Sequence, residues 1–367
     1  MRKTILLLAA LLVLMIPEGR VEGRSITAVT GVTKWGQLPL RFEITGQTLP
    51  DGVTASDFTI TGSAAGWESE SRHPFECAVE AVDATADGWA LTPALFPEKY
   101  FYVRERTVSC AADPSLDFSL DDISQTITET ADDFTDVEDA ESRFTGHLFD
   151  PGTDGPLPVV LVFHGYGDDH NLLSYRTATA WAEPENQAKR PCVVIAPVIN
   201  TIYYGSEIAR TRIYVGIIRT IDALVESGRA DPDRVYAMGN SFGGMAALEI
   251  AEQYPDRFAA ILALCPALNY GPGATANLPA LADIPVAIAL AENDETIPSA
   301  VGISAAGAIE AAGNGNVWLR VYSDDEMVAA GATYGYENVY SFHHVELAVM
   351  EDEAYAEWMF GKTRGNP

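Results

Sequence analysis

The residues best suited to chemistry lie in the stretch RVYAMGNSFGGMAALEIA, residues 234–251, with Ser241 at its centre. A run of β-branched and aromatic residues precedes Gly239-Asn240-Ser241-Phe242-Gly243, and a run of good helix formers follows it. A serine between a strand and a helix, flanked by small residues that permit a sharp turn, fits the G-x-S-x-G pattern of a nucleophile elbow. The five residues alone could be an ordinary glycine-rich loop, but their flanking elements favour Ser241 as a nucleophile.

A serine hydroxyl needs a base to remove its proton and a carboxylate to orient that base. Where a serine occupies such an elbow, the acid and then the histidine follow it along the chain. The apolar run IPVAIAL is followed by Glu292, Asp294 and Glu295, and we predict Asp294 as the acid because it is the short carboxylate at the centre of a turn. His343 and His344 follow both elements. Adjacent side chains point in different directions, so one of the two serves as the base, and the residues alone leave both open.

A serine nucleophile also requires donors for the oxyanion of its tetrahedral intermediate. We expect one donor to be the backbone N–H of Phe242, directly after the serine. The second is predicted in FHGYGDD, at the end of the apolar run PVVLVF, as the backbone N–H of Tyr166. His164 in the same loop is predicted to be a structural hydrogen-bonding residue rather than a catalytic one.

Alternating apolar strands and helical stretches are predicted to position these residues. Residues 129–367 contain near-continuous apolar runs, such as LPVVLVF and CVVIAPV, of the kind buried on both faces of a parallel sheet. Helical stretches are expected near 207–227, 242–254, 299–312 and 351–360. This pattern predicts a doubly wound, mostly parallel α/β domain, whose ligands bind beyond the carboxyl ends of the strands.

The preceding residues, 24–128, have the texture of short strands separated by turn signals such as LPDG and ADG. They predict a small all-β sandwich of the immunoglobulin-like type. Cys77 and Cys110 lie within it and could form a disulfide in an exported protein. Eleven acidic residues and no Lys or Arg occupy 113–141, which predicts a solvated inter-domain strand or linker more readily than a calcium site.

The first 23 residues combine a basic tip with a 12-residue apolar run, residues 5–16. This pattern predicts a signal peptide and a secreted or periplasmic protein, with an uncleaved anchor as the alternative. The net charge of −29 argues against nucleic acid and anionic lipid as partners. No C-x-x-C pair or His/Cys cluster suggests a metal.

Several segments together resemble a known group, the secreted α/β-hydrolase esterases often described as predicted peptidases and related to polyhydroxybutyrate-depolymerase-like and feruloyl-esterase-like enzymes. The resemblance spans residues 132–360 and rests on ADDFTD, HGYGDD, WAEPENQAKRPCVVIAPV, GNSFGG, YPDRFAAILALCPA and AENDETIP. It implies an α/β-hydrolase fold and supports Asp294 as the acid. The group usually carries Gly-His followed shortly by Trp, whereas this chain has SFHHVELAVM. Counting back from EDEAYAEWMF, which resembles the closing helix of the group, indicates His343 as the base. Some members also carry an immunoglobulin-like domain before the hydrolase domain.

These observations predict a serine carboxylesterase that acts on short acyl esters or on acylated polysaccharide or phenolic esters. Such a reaction proceeds through an acyl-enzyme and needs no cofactor or metal. Two alternatives remain: a serine peptidase with the same triad, and a catalytically inactive protein that binds polysaccharide or a cell surface. The sequence does not determine the acyl group, the alcohol or the oligomeric state.

Overall fold

The computed structural model describes residues 23–34, 36–65, 72–94, 102–168, 172–270, 277–332 and 341–365. The predicted signal peptide, residues 1–23, lies outside the described residues except for its last position. Among the helices described, none is both long and apolar enough to cross a membrane.

Two antiparallel-rich sheets form the first part of the chain, as the alternating pattern predicts. One sheet has the order β5-β6-β2-β1-β9 and the other β4-β3-β7-β8. Their strands are β1 (Ser25–Thr33), β2 (Gly36–Thr45), β3 (Phe58–Ala65), β4 (Arg72–Cys77), β5 (Val79–Ala84), β6 (Gly88–Pro93), β7 (Tyr102–Cys110), β8 (Phe118–Ser119) and β9 (Gln125–Thr128).

A shared aromatic core joins these two sheets. Trp89 from β6 is fully buried and its ring centroid lies 5.5 Å from that of Phe58 in β3. Phe42 of β2 packs edge-on against Phe118 of β8 at 5.3 Å. Because each pair takes one ring from each sheet, the inward side chains hold the sheets face to face as a β-sandwich.

The possible disulfide between Cys77 and Cys110 is not formed, and both thiols are free and buried. Cys77 pairs with Ile60 on one side of β3, whereas Cys110 pairs with Phe58 on the other side. Strands two positions apart in a sheet are separated by roughly 9–10 Å, which exceeds the span that a disulfide can bridge.

The acidic segment uses its carboxylates to terminate turns. Asp113 accepts the Ser115 N–H at 2.9 Å, and Asp132 accepts the Thr128 N–H at 2.7 Å. The prediction of a solvated connection holds only in part, because the acidic stretch contains β8 and β9 of the sandwich and the edge strand Thr135–Asp139 of the second sheet. Leu116 and Phe118 are buried in the sandwich core.

An eight-stranded sheet of order β10-β11-β13-β12-β14-β15-β16-β17 forms the second half. The pairings from β13 to β17 are parallel, and β10 and β11 are antiparallel at one edge. The strands are β10 (Thr135–Asp139), β11 (Phe144–Phe149), β12 (Leu157–Phe163), β13 (Val193–Val198), β14 (Ala230–Asn240), β15 (Ala260–Leu264), β16 (Val286–Ala291) and β17 (Val317–Tyr322).

Helices cover both faces of this sheet. They are α1 (Arg176–Thr179), α2 (Pro184–Lys189), α3 (Glu207–Glu226), α4 (Phe242–Gln253), α5 (Ser299–Ala311), α6 (Asp324–Ala330), α7 (Glu346–Val349) and α8 (Glu353–Phe360). Side chains of α3, α4 and α5 share one core with Leu161 and Ile288, whereas α8 packs with Val160 and Leu262 on the opposite face. Every residue of β12, β15 and β16 is buried, which explains their unbroken apolar sequences.

Candidate active site

Ser241 lies on the turn between β14 and α4, with φ 58° and ψ −118°. A positive φ is strained for a residue with a side chain, and such strain is a mark of nucleophile elbows. The backbone fixes the turn, since the Ser241 N–H donates to the Leu264 carbonyl at 2.9 Å and the Ala267 N–H donates to the Ser241 carbonyl at 3.0 Å. Ser241 thus lies at the carboxyl end of a central strand, where the sequence predicts it.

Two glycines make this turn sterically possible. A Cβ on Gly239 would lie 2.5 Å from the carbonyl carbon of Gly243, and a Cβ on Gly243 would lie 2.2 Å from the Phe163 carbonyl oxygen. Backbone atoms occupy both positions and cannot give way. The small residues of the G-x-S-x-G pattern are therefore required by the close approach of β12, β14 and α4.

Asp294 follows β16 and is paired with His343. Its side chain is 1% exposed, and Oδ1 accepts the backbone N–H groups of Thr296 and Ile297 at 2.8 Å each. His343 Nδ1 lies 2.8 Å from Asp294 Oδ2 and 3.1 Å from Oδ1. Because an ionised carboxylate only accepts hydrogen bonds, this geometry places a proton on Nδ1 and leaves the Nε2 lone pair available as a base.

His344 has a different partner from its neighbour. Its Nδ1 lies 2.7 Å from Glu346 Oε1. The structure therefore pairs His343, and not His344, with the acid that follows β16.

Cys265, at the end of β15, links the nucleophile turn to the histidine loop. Its Sγ donates to Asn240 Oδ1 at 2.8 Å and lies 3.2 Å from the His343 carbonyl oxygen. The backbone of Ser241 and that of Val345 also hydrogen-bond this thiol. Ser241 and His343 consequently border the same buried side chain, which brings the three predicted catalytic residues to one edge of the sheet.

Cys265, Asp294 and His343 also form a group whose potential ligand atoms lie within 4.8 Å of one another. Burial, and secondarily the charge of Asp294, raise the pKa of the Cys265 thiol well above its usual value. A protonated thiol is a poor metal ligand, and the His343 Nδ1 already bonds the carboxylate. Within this group, the hydrogen bond between His343 and Asp294 is the arrangement that proton transfer requires.

The loop after β12 runs beside Ser241. A Cβ on Gly165 would lie 3.9 Å from Ser241 Cβ and 3.7 Å from the Asn240 carbonyl oxygen. Tyr166 follows directly, and Phe242 is the first residue of α4, where backbone N–H groups have no partner within the helix. Both predicted oxyanion donors thus belong to segments that flank the serine.

His164 supports this loop from within the core. It is 5% exposed, its Nδ1 lies 2.7 Å from the Gly165 carbonyl oxygen, and its Nε2 accepts the Ile199 N–H at 2.9 Å. The Tyr204 hydroxyl donates to the His164 carbonyl at 2.8 Å. With both ring nitrogens bonded to backbone, His164 has the structural role that the sequence predicts.

Aromatic rings surround the residue after the nucleophile. The Phe242 ring centroid lies 4.7 Å from that of Tyr204, 5.6 Å from Tyr166 and 5.8 Å from Tyr270. Tyr166 and Tyr270 are each 56% exposed. This cluster provides an apolar surface, open to solvent, directly beside Ser241.

Three residues near the site carry contacts that the motifs did not predict. Glu295 accepts the Ser341 hydroxyl and the Phe342 N–H at 3.0 Å each and so fastens the histidine loop to the acid loop. Cys265 contacts both the nucleophile turn and the histidine loop. Asp168, the first Asp of HGYGDD, lies with Oδ2 3.0 Å from a Cβ built on Gly165. In the sequence, the feature that could have pointed to Asp168 is its position directly after the glycine-rich loop.

Comparison with known proteins agrees with this geometry. Residues 210–271, which contain Ser241 with β14 and α4, match the model of the prolyl oligopeptidase family. A crystal structure described as a thermostable esterase superposes with a TM-score of 0.71, covering 93% of this chain and 100% of that one, at 20% identity. The second half of the chain has the α/β-hydrolase fold.

A curated relative is similar over a short segment. NocK of Nocardia uniformis subsp. tsuyamanensis, named as a candidate esterase, is 51% identical over 41 residues. That segment is 11% of this chain and 12% of NocK, so the match spans a small part of either protein. The family match around Ser241 and the similarity to NocK are both consistent with the predicted serine hydrolase.

Proposed function

We propose that the protein is a serine esterase that hydrolyses carboxylic esters through Ser241, His343 and Asp294. The observation that carries this proposal is the hydrogen bond from His343 Nδ1 to the buried Asp294 carboxylate, on the same sheet edge as a serine held at a positive φ. The similarity to a thermostable esterase in fold supports it.

In this mechanism, Nε2 of His343 removes the Ser241 hydroxyl proton as Oγ attacks the ester carbonyl. The backbone N–H groups of Tyr166 and Phe242 stabilise the resulting oxyanion, and each such donor is worth about 3 kcal/mol. The imidazolium then protonates the leaving alcohol, which leaves an acyl-enzyme. Water, deprotonated by the same imidazole, releases the acid and restores the serine.

We infer that the substrate lies against the aromatic cluster around Phe242. Tyr166 and Tyr270 expose their rings beside the nucleophile, and such faces bind apolar or aromatic groups. We propose short acyl or phenolic esters, free or attached to polysaccharide, as the substrates. The acidic surface disfavours nucleic acid and anionic membranes as partners.

Residues 1–128, about a third of the chain, precede all residues of the candidate active site. We propose that residues 1–23 are a signal peptide, that residues 24–128 form an immunoglobulin-like domain, and that the mature protein, residues 24–367, is secreted or periplasmic. The two packed sheets support the sandwich architecture.

A serine peptidase is the second candidate, favoured by the match to the prolyl oligopeptidase family around Ser241. The same triad serves both reactions, because amides and esters share a tetrahedral intermediate. Parallel panels of p-nitrophenyl esters and peptide p-nitroanilides separate the two functions.

The test is turnover of p-nitrophenyl acetate and butyrate by the wild type and by Ser241→Ala. We expect the variant to lose activity while its thermal unfolding remains that of a folded protein. Ser227→Ala, an exposed serine at the end of α3, is the matched control and should retain full activity. Esterase activity that survives in Ser241→Ala would refute the proposal.

A further inference from the structure

A second group of ionisable side chains lies beside the candidate triad. His344 directly follows His343, and its Nδ1 is 2.7 Å from Glu346 Oε1 at the start of α7. The second Glu346 oxygen, Oε2, is buried and has no hydrogen-bond partner in the described part of the chain. A buried carboxylate oxygen without a hydrogen bond is costly unless a positive charge is close to it.

Asp168 brings a second carboxylate to the same place from the oxyanion loop, residues 164–168. Its backbone N–H approaches the Gly165 carbonyl oxygen at 3.5 Å, and its carboxylate hydrogen-bonds the backbone of Gly165 and the side chain of Tyr175. Gly165 is the loop residue that lies beside Ser241. The position of this carboxylate therefore helps to determine where the loop stands relative to the nucleophile.

The charges of the two loops are coupled. Burial and then the negative charge of Glu346 raise the pKa of Asp168 to about 6, and His344 opposes that rise. Burial alone would lower the pKa of His344, but Glu346, Asp168 and Glu295 together raise it above its usual value. These are the charged groups that face the imidazole, and Tyr175 completes the surroundings of Asp168.

We propose that Asp168, His344 and Glu346 form a positioning cluster that ties the oxyanion loop to the histidine loop, so that the charge of the cluster controls the acylation rate. The imidazolium of His344 is hydrogen-bonded to Glu346 and attracts the nearby Asp168 carboxylate. When the ring loses its proton, Asp168 loses the positive charge that holds it, and the oxyanion loop moves away from Ser241. This inference rests on the proposed esterase function, and none of the three residues touches the reacting atoms.

Kinetics of p-nitrophenyl acetate hydrolysis by His344→Gln and Glu346→Gln, each over a range of pH, test the cluster. We expect kcat to fall about 10-fold to 100-fold, with KM changed less than about twofold, because a displaced loop weakens the transition state more than substrate binding. Glu346→Gln removes a negative charge from His344, so the alkaline fall of kcat should move to lower pH. In His344→Gln, which has no imidazole at this position, the alkaline fall of kcat should disappear.

The matched control is His147→Gln. His147 forms a similar imidazole–carboxylate pair, with Nδ1 3.0 Å from Asp136 Oδ1, but on the edge strands β10 and β11. This variant should keep the wild-type pH profile. A purely structural role for His344 would lower stability without moving the profile, and profiles of both cluster variants that follow the wild type would overturn the proposal.

NMR titration of the His344 ring, in the wild type and in Glu346→Gln, tests the cluster without measuring catalytic activity. We expect the His344 ring to titrate at a lower pH in the variant than in the wild type. An unchanged midpoint would overturn the proposal. A wild type that hydrolyses no ester would refute the proposed function instead, while the titration would still decide whether the charges are coupled.

Discussion

His343 Nδ1 lies 2.8 Å from Asp294 Oδ2, while His344 Nδ1, one residue later, lies 2.7 Å from Glu346 Oε1. Two adjacent imidazoles are thus assigned to two different carboxylates. The side chain of Asp294 is 1% exposed and that of Glu346 is 16% exposed, so the better shielded acid faces the candidate base. This division makes the roles of the two histidines separable by mutation.

Asp294→Asn should abolish most of the esterase activity. An amide in place of the carboxylate donates as well as accepts, so it can stabilise the wrong His343 tautomer, with Nε2 protonated and unable to act as a base. In serine proteases the equivalent change lowers kcat on the order of 10⁴-fold, and a loss of that order is expected here. Glu292→Gln, an exposed acid two residues earlier, is the control and should change kcat little. Equal kcat values for the two variants would contradict the assignment of Asp294.

Ser241→Gly should remove activity and yet stabilise the fold. Ser241 has φ 58° and ψ −118°, a conformation that glycine adopts without strain. Relief of that strain is worth about 1 kcal/mol or more in the free energy of unfolding. Urea denaturation of Ser241→Gly and Ser241→Ala measures it, since alanine keeps the strain and removes only the hydroxyl. A glycine variant no more stable than the alanine variant would show that the turn is not strained.

Glu252 should make stability fall as the pH rises. Burial, and then the charges of Glu249 and Glu207, raise its pKa to about 8, and its Oε1 is buried with no partner in the described part of the chain. Between the usual pKa of glutamate, about 4.3, and pH 8, the folded state holds more protons than the unfolded state, so the free energy of unfolding decreases with pH. Glu252 lies near the C-terminal end of α4, the helix that follows Ser241.

The corresponding test is urea denaturation of the wild type and Glu252→Gln at pH 5 and pH 8.5. The variant should be the more stable at pH 8.5, by roughly 2 kcal/mol given about 1.4 kcal/mol per pKa unit and partial solvent screening. At pH 5 the difference should be small. Glu226→Gln, an exposed glutamate on α3, serves as control. The prediction is wrong if the gap between wild type and Glu252→Gln is the same at both pH values.

The fold of the second half was largely predictable because strand and helix leave different periodicities. Fully buried runs such as β12 and β16 have no polar positions, and α3 begins and ends within a residue of the predicted helix. The sequence also located Ser241, because the turn requires glycines that composition alone would not place there.

Contacts between distant segments were beyond the sequence. Nothing local distinguishes His343 from His344, since their roles depend on which carboxylate each ring meets in space. The sequence also left open whether Cys77 and Cys110 are bridged, because the order of strands around β3 decides it. Asp168 and Glu346, 178 residues apart along the chain, interact electrostatically only because the fold brings the oxyanion loop near α7.

Labelling with a fluorophosphonate, followed by mass spectrometry of the peptides, tests directly whether Ser241 is the nucleophile. A serine activated by an imidazole forms a covalent phosphonyl adduct, whereas ordinary serines do not react. We predict one adduct, on Ser241, and its strong reduction in His343→Ala but not in His147→Ala. Labelling at another serine, or a wild type that does not react, would contradict the catalytic role of Ser241.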